Sequence, residues 1–155
     1  MNHLNLLAPE TYNIVSEIEK HASNQNKQAI IYENGVEEPI SVTYSELIKN
    51  ANKVGHVLLN HGLKKGDKVL IMMPRAIITY ELYIAALKLG IAIIPSSEML
   101  RTKDLQYRIT HGEINAVIAL ADFIEEFRDI KEYHELTKFV INGNAVSYTH
   151  LTLPT

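Results

Sequence analysis

VLIMMPRAIITYELYIAALKLGIAIIP, residues 69 to 95, decides the fold of this chain. Val69 to Met73 is an unbroken apolar run of strand length closed by Pro74, the pattern of a strand covered on both faces. Ala76 to Leu89 is apolar nearly all round, with Glu81 and Lys88 its only charged members, so it reads as a deeply packed helix that Gly90 ends. Ile91 to Ile94 then supplies a second buried strand before Pro95. A strand, a helix and a strand with no room for a hairpin make a parallel pair joined by a right-handed crossover.

The same alternation continues outward in both directions. Downstream, Thr102 to His111 reads as a helix with Thr102 as N-cap and Asp104 in the favourable first turn, stopped by Gly112. Ala116 to Leu120 follows as a third buried strand, Asp122 to about Tyr133 as a further helix, and Lys138 to Ile141 as a fourth strand. Upstream, Gly62 to Asp67 makes a helix end and a turn. Before it, Leu47, Ala51, Val54 and Leu58 recur on one helical face, opened by a Thr43-Tyr44-Ser45-Glu46 capping box in which hydroxyl and carboxylate satisfy backbone donors. Lys27 to Tyr32 and Ile40 to Thr43, around a Glu33-Asn34-Gly35 turn, predict an N-terminal β-hairpin. The fold class is α/β: a doubly wound, largely parallel sheet flanked by helices, with that hairpin in front.

Composition agrees with one folded domain: 155 residues, 46% hydrophobic and 21% charged. A net charge of −3 is too balanced for an electrostatic nucleic-acid or anionic-membrane binder. The absence of cysteine removes disulfides, thiolate metal sites and cysteine nucleophiles. Met1 to Glu10 has no positive leader ahead of an apolar core, and no apolar run approaches the roughly 18 residues that cross a bilayer, so a cytoplasmic location is expected.

Ligands of open parallel sheets bind outside the carboxyl ends of the strands, which directs attention to the loops after Met73, Ile94 and Leu120. Pro74-Arg75 has no glycine to let backbone amides reach a pyrophosphate. Gly62 to Lys68 is one residue short of a phosphate-binding loop, has Val69 in place of the magnesium-holding hydroxyl, and precedes a strand. Seven histidines include no pair four apart on one helix, and His56 and His61 lie about 140° apart around theirs, so no metal site is expected. No Gly-x-Ser-x-Gly elbow and no paired catalytic carboxylates are present. Ser96-Ser97-Glu98-Met99-Leu100-Arg101 is the one polar loop that combines hydroxyls, an acid and a guanidinium. Arg101 and Arg108, seven apart on one stripe with Asp104 between, suit either an anion such as a phosphate or a solvated helix face with an ion pair.

Residues 146–155, VSYTHLTLPT, contain no Lys, Arg, Asp or Glu and resemble one reading frame of a transposon-end sequencing adaptor. They are set aside as non-native, the alternative being a genuine polar strand, since Thr, Tyr, Val and Leu suit strands. Residues 1–145 then form a truncated part of something longer.

TYSEL (43–47), GLKKGDKVLIMMPR (62–75), ALKLGIAIIPSSEML (86–100) and RTKDLQYRI (101–109), in this order and spacing, resemble the AMP-forming acyl-CoA synthetases, most closely the medium-chain and branched-chain ligases. The resemblance runs from about Lys27 to Ile141 and makes this chain the N-terminal part of the large AMP-binding domain. It implies a two-step reaction in which a fatty carboxylate attacks ATP to give an acyl-adenylate and pyrophosphate, and the coenzyme A thiol then displaces AMP. ATP, coenzyme A and Mg would serve the parent enzyme, with a small carboxylate as substrate and the missing remainder of the chain as partner, and with no nucleic acid or membrane involved. None of these cofactors is expected to bind the fragment productively. The family's Ser/Thr/Gly-rich phosphate loop, adenine and ribose motifs and catalytic lysine all lie downstream, so no catalytic or metal residue carries over. Ser96, Ser97 and Arg101 alone have a claim, on the side of coenzyme A and acyl access. The isolated piece is expected to be inactive and poorly soluble, with Lys138 to Ile141 an unpaired apolar edge. A complete, non-catalytic α/β binding module is the competing reading.

Overall fold

Strand formation at the centre follows from uniform hydrophobicity. In the computed structural model, which describes residues 9–142 except 34, 36 and 37 together with the backbone of 151–152, β3 (Lys68–Met72) is buried over its last four residues. It is flanked by β4 (Ala92–Ser96) and β5 (Ala116–Leu120), and β6 (Thr137–Ile141) lies beyond β5, all parallel. The short β7 (Leu151–Thr152) pairs antiparallel with Val140 and Ile141, giving the order β4-β3-β5-β6-β7. The hairpin of β1 (Gln28–Tyr32) and β2 (Ile40–Thr43) forms a separate two-stranded sheet with a register shift between Gln28 and Ile30. Asn34 of its expected turn lies outside the described residues.

Alternation along the strands sorts side chains into two layers. Val69, Ile71, Ala116, Ile118, Phe139 and Ile141 face α2 (Tyr44–Asn60) and α3 (Ile77–Leu89), whose Val54, Leu58, Leu82, Ala85 and Ala86 complete that core. Leu70, Met72, Val117 and Ala119 face the other way, onto Leu105 and Ile109 of α4 (Thr102–Gly112) and onto Phe127, Ile130 and Tyr133. Each fully buried Leu, Ile or Phe contributes on the order of 1.5–3 kcal/mol relative to exposure. A third cluster joins Leu47, Ile48, Ala51, Ile77 and Ile84 to Val42 of the hairpin and Val15 of α1 (Val15–Glu19). Uniform hydrophobicity lets α3 serve two cores at once. Its one fully buried carboxylate, Glu81, accepts a hydrogen bond from the Asn50 amide of α2 at 3.1 Å.

The helix punctuation is chemical. At the start of α2 the Glu46 N–H donates to the Thr43 hydroxyl at 3.2 Å, and the Thr43 N–H donates to the Glu46 carboxylate at 2.9 Å, so the capping box is complete. At its end Gly62, with φ +87°, lets the Leu63 N–H reach back to the Leu58 carbonyl at 3.1 Å. Gly90, at φ +71°, closes α3 in the same way, with Ile91 N–H donating to the Ala86 carbonyl at 2.9 Å.

Four expectations are corrected. The helix expected over Asp122 to Tyr133 is instead two 3₁₀ segments, Ala121–Phe127 and Lys131–Glu135. The reason lies in the spacing: Ile124, Phe127, Ile130, Tyr133 and Leu136 all pack on one core at a strict interval of three, which superimposes side chains on a 3₁₀ turn and drifts off face on an α-helix. Thr102 is not the cap of α4. Arg101 holds the extended cap position, while the Thr102 N–H and hydroxyl both donate to the Glu126 carboxylate, at 3.1 and 3.3 Å. Nor does Gly112 take the left-handed turn; Glu113 does, at φ +51°, with its carboxylate on Lys68 Nζ at 2.8 Å. The strand expected at Ile91 to Ile94 runs from Ala92 through Pro95 to Ser96 and is an edge strand, only partly buried. β7, which meets Val140 and Ile141, lies within the tail and so leaves the expectation of an open Lys138 to Ile141 edge in residues 1–145 as it was. Such a two-residue pairing needs only extended backbone, so it says nothing about the origin of the tail, most of which (146–150 and 153–155) lies outside the described residues. α1, five residues long, is too short to register as a periodic pattern.

Candidate functional site at the carboxyl edge of the sheet

The winding of the chain places the site. From β3 the chain leaves through α3 on one face toward β4, and from β5 it leaves through the 3₁₀ segments on the other face toward β6. Neighbouring β3 and β5 therefore send their carboxyl-end loops to opposite sides, which opens a crevice between them. Pro74-Arg75 forms one lip and Ala121-Asp122 the other, with Arg75, Ala121 and Asp122 exposed. The first lip is anchored by the Thr79 hydroxyl, which donates to the Pro74 carbonyl at 2.7 Å. The Ser96–Arg101 loop flanks this crevice, because Ser96 lies level with Met72 in the β3–β4 register.

Within that loop Ser96 is buried and its hydroxyl donates to the Ile94 carbonyl at 3.4 Å. Ser97 is exposed, and its hydroxyl accepts the Met99 N–H at 3.2 Å, a side-chain turn that curls the loop. Arg101 Nη1 donates to the carbonyls of Glu98 and Leu100 at 3.2 and 3.1 Å, so the guanidinium staples its own loop. Its Nε faces Glu126 Oε1 at 3.7 Å, with the arginine side chain 65% and the glutamate 30% exposed. An exposed pair of this kind is worth at most about 1 kcal/mol. The Asp104 carboxylate accepts the Arg101 backbone N–H at 3.5 Å, and the Asp104 N–H donates back to the Arg101 carbonyl at 2.9 Å.

Glu126 is the residue that sequence reasoning missed. It gathers the Thr102 N–H, the Thr102 hydroxyl and Arg101 at one carboxylate and so ties the loop after β4 to the segment after β5. The available signal was the interval of three, which fixes the face of that segment and brings its acids against α4. A second clamp lies one turn further along. Gln106 Nε2 donates to Glu132 Oε2 at 2.7 Å and the Thr110 hydroxyl to Oε1 at 3.4 Å. Its own backbone N–H and then Gln106 hold the Glu132 carboxyl below the usual carboxylate range.

Among the described residues neither Ser96 nor Ser97 is hydrogen-bonded to a base, and no three His, Asp or Glu side chains converge on a point. The loops after β3, β4 and β5 carry no glycine that would expose a cradle of backbone amides. Among the described residues these loops thus lack the backbone cradle that an ATP phosphate site would use and the clustered acids that a magnesium ion would use. No helix among the described residues is long and apolar enough to cross a membrane.

Comparison with known proteins adds the family. The chain is 40% identical over 146 residues to the uncharacterized acyl-CoA ligase YtcI of Bacillus subtilis, covering 94% of this chain and 28% of that protein. It is 29% identical over 137 residues to the acetyl-coenzyme A synthetase of the same organism, covering 86% of this chain and 24% of that protein. The crystal structure of an acyl-CoA synthetase from Brucella canis superposes with a TM-score of 0.81 at 18% identity, over 96% of this chain and 28% of that one, and shares the fold. The chain thus spans about a quarter of the length of the curated relatives it matches. The AMP-binding enzyme family model matches residues 18–152, and the chain belongs to that family.

Proposed function

We propose that residues 1–145 are the N-terminal part of an ATP-dependent, AMP-forming acid–CoA ligase whose substrate is a fatty or branched, short- or medium-chain carboxylate. The family match over residues 18–152 carries this reading. The names of the Bacillus subtilis relatives, an acyl-CoA ligase and an acetyl-coenzyme A synthetase, support a carboxylate joined to coenzyme A as the substrate class. In the whole protein ATP, coenzyme A and Mg take part. A carboxylate is a poor electrophile, so activation requires that charge growing on the phosphates be neutralised. The described residues supply none of those groups. Their part is to build one wall of the large domain and hold its loops in place, and the chain alone is inactive. Ser96, Ser97 and Arg101 border the access route for coenzyme A and the acyl chain, with Ser97 and Arg101 exposed there. Residues 146–155 are non-native, and the location is the cytoplasm.

Two measurements test this. The source DNA is resequenced across the codon for Ala145 with primers well outside the tail. A frame running on into a Ser/Thr/Gly-rich loop ending in lysine supports the ligase, whereas an encoded VSYTHLTLPT followed by a stop codon makes a standalone binding module the better reading. The purified chain is also incubated with ATP, Mg, coenzyme A and carboxylates of two to twelve carbons (about the short- to medium-chain range over which added methylenes change binding). Pyrophosphate release above background would overturn the assignment of inactivity.

A further inference from the structure

β4 ends the sheet, and its backbone groups can be assigned to the two sides. The Ala92 N–H donates to the Asp67 carbonyl at 2.8 Å, and the parallel register pairs Lys68 with Ala92 through to Met72 with Ser96. In a parallel ladder the N–H and C=O of one residue face the same neighbour, and successive residues alternate. Ala92, Ile94 and Ser96 therefore bond β3, while Ile93 and Pro95 turn outward. Pro95 costs the ladder nothing there, which explains why a proline sits inside this strand. The preceding outward donor, the Ile91 N–H, is already taken by the Ala86 carbonyl at 2.9 Å. Among the described residues the edge thus offers one N–H, that of Ile93, beside the carbonyls of Ile93 and Pro95.

The segment so guarded needs guarding. Ile91 to Ile94 is apolar and uncharged, and Ile93 and Ile94 are half-buried, one on each core layer, so both layers reach the edge incompletely covered. Such a strand is a template for pairing with another chain. We infer that Pro95 closes the β4 edge to a strand from a second copy of this chain. An antiparallel pairing of two β4 strands about Ile93 would form its two central hydrogen bonds and then set a partner carbonyl against each proline ring, without a donor.

The test restores the donor. Pro95→Val and Pro95→Ala are compared with the unaltered chain by sedimentation velocity across a concentration series and by amide exchange at Ile93. The expected result is mass rising with concentration toward twice that of the unaltered chain, slowed exchange at Ile93 in the same samples, and return to the mass of the unaltered chain when Ile93→Pro is added to Pro95→Val. Ile93→Pro removes the outward N–H while the inward donors of Ala92, Ile94 and Ser96 stay in place for the β3 ladder. Two variants with the same mass as the unaltered chain at every concentration and unchanged Ile93 exchange would overturn the inference. So would association that survives Ile93→Pro.

Discussion

Gly62 and Gly90 both end helices in the left-handed region, at φ +87° and +71°, but they differ in the space around them. A Cβ built on Gly62 meets nothing within 4 Å, whereas one on Gly90 falls 2.9 Å from Lys65 Cγ and 3.4 Å from Lys65 Cδ. Alanine at Gly62 therefore bears the left-handed backbone penalty alone, roughly 1–2 kcal/mol, less about 0.4–1 kcal/mol recovered because the unfolded chain loses freedom. The net loss is about 1 kcal/mol. At Gly90 the Gly66 N–H donates to the Gly90 carbonyl at 2.9 Å and pins the facing backbone, so only the Lys65 torsions can give. Forcing them off a rotamer adds about 0.5–1.5 kcal/mol. Gly62→Ala, Gly90→Ala and the double variant Lys65→Ala with Gly90→Ala are unfolded in urea at 25 °C under far-UV circular dichroism. Gly90→Ala should lie below Gly62→Ala by that extra amount, and Lys65→Ala should restore the difference. Equal losses at the two glycines, or no recovery in the double variant, would refute the contact argument.

Gly55, by contrast, sits in the middle of α2 with room for a methyl group, its built Cβ 3.8 Å from Leu89 Cδ1 and 3.9 Å from Ala85 Cβ. Gly55→Ala should raise stability by about 0.5–1 kcal/mol from helix propensity and raise the melting temperature, while Gly55→Leu should lower it by prising α2 from α3. Thr43→Ala removes one half of the capping box and should cost about 1 kcal/mol. The Thr43 N–H and then its hydroxyl hold the Glu46 carboxyl below its usual value near 4.5. Glu46 thus stabilises the fold above that pH, and the contribution is lost as pH falls through the lowered folded-state value. Thr43→Ala should flatten the acid limb of a stability-against-pH curve in part, since the backbone donor remains, and Glu46→Gln should flatten it more.

The parts of the fold that could be read in advance are those where local chemistry and burial agree. β3, α2 and α3 each carry a continuous apolar pattern together with a cap or a glycine, and they stand where the pattern puts them. The misreadings have a common physical origin in partners distant along the chain. Thr102 looks like a cap until Glu126, 24 residues away, takes its N–H and hydroxyl. Pro95 looks like a strand end until the β3 register shows its missing N–H turned to the outside. The 3₁₀ segments were legible after all, in an interval of three that a search for 3.6 passes over. At the candidate site, the Ser96–Arg101 loop was visible as polar residues after a strand, but the staple from Arg101 to the Glu98 and Leu100 carbonyls depends on a backbone path that composition does not record.

The shared helices carry a consequence for how the protein opens. Because α3 lends Ile77 and Ile84 to the hairpin core and Leu82, Ala85 and Ala86 to the sheet core, the two cores have no surface along which to part. α2 is divided in the same way, with Leu47, Ile48 and Ala51 on one side and Val54 and Leu58 on the other. Release of the hairpin would bare the backs of both helices and loosen the sheet beneath them. The amides of β2 should accordingly exchange with solvent in step with those of β3, as one cooperative unit, although the two strands belong to different sheets and share no hydrogen bond.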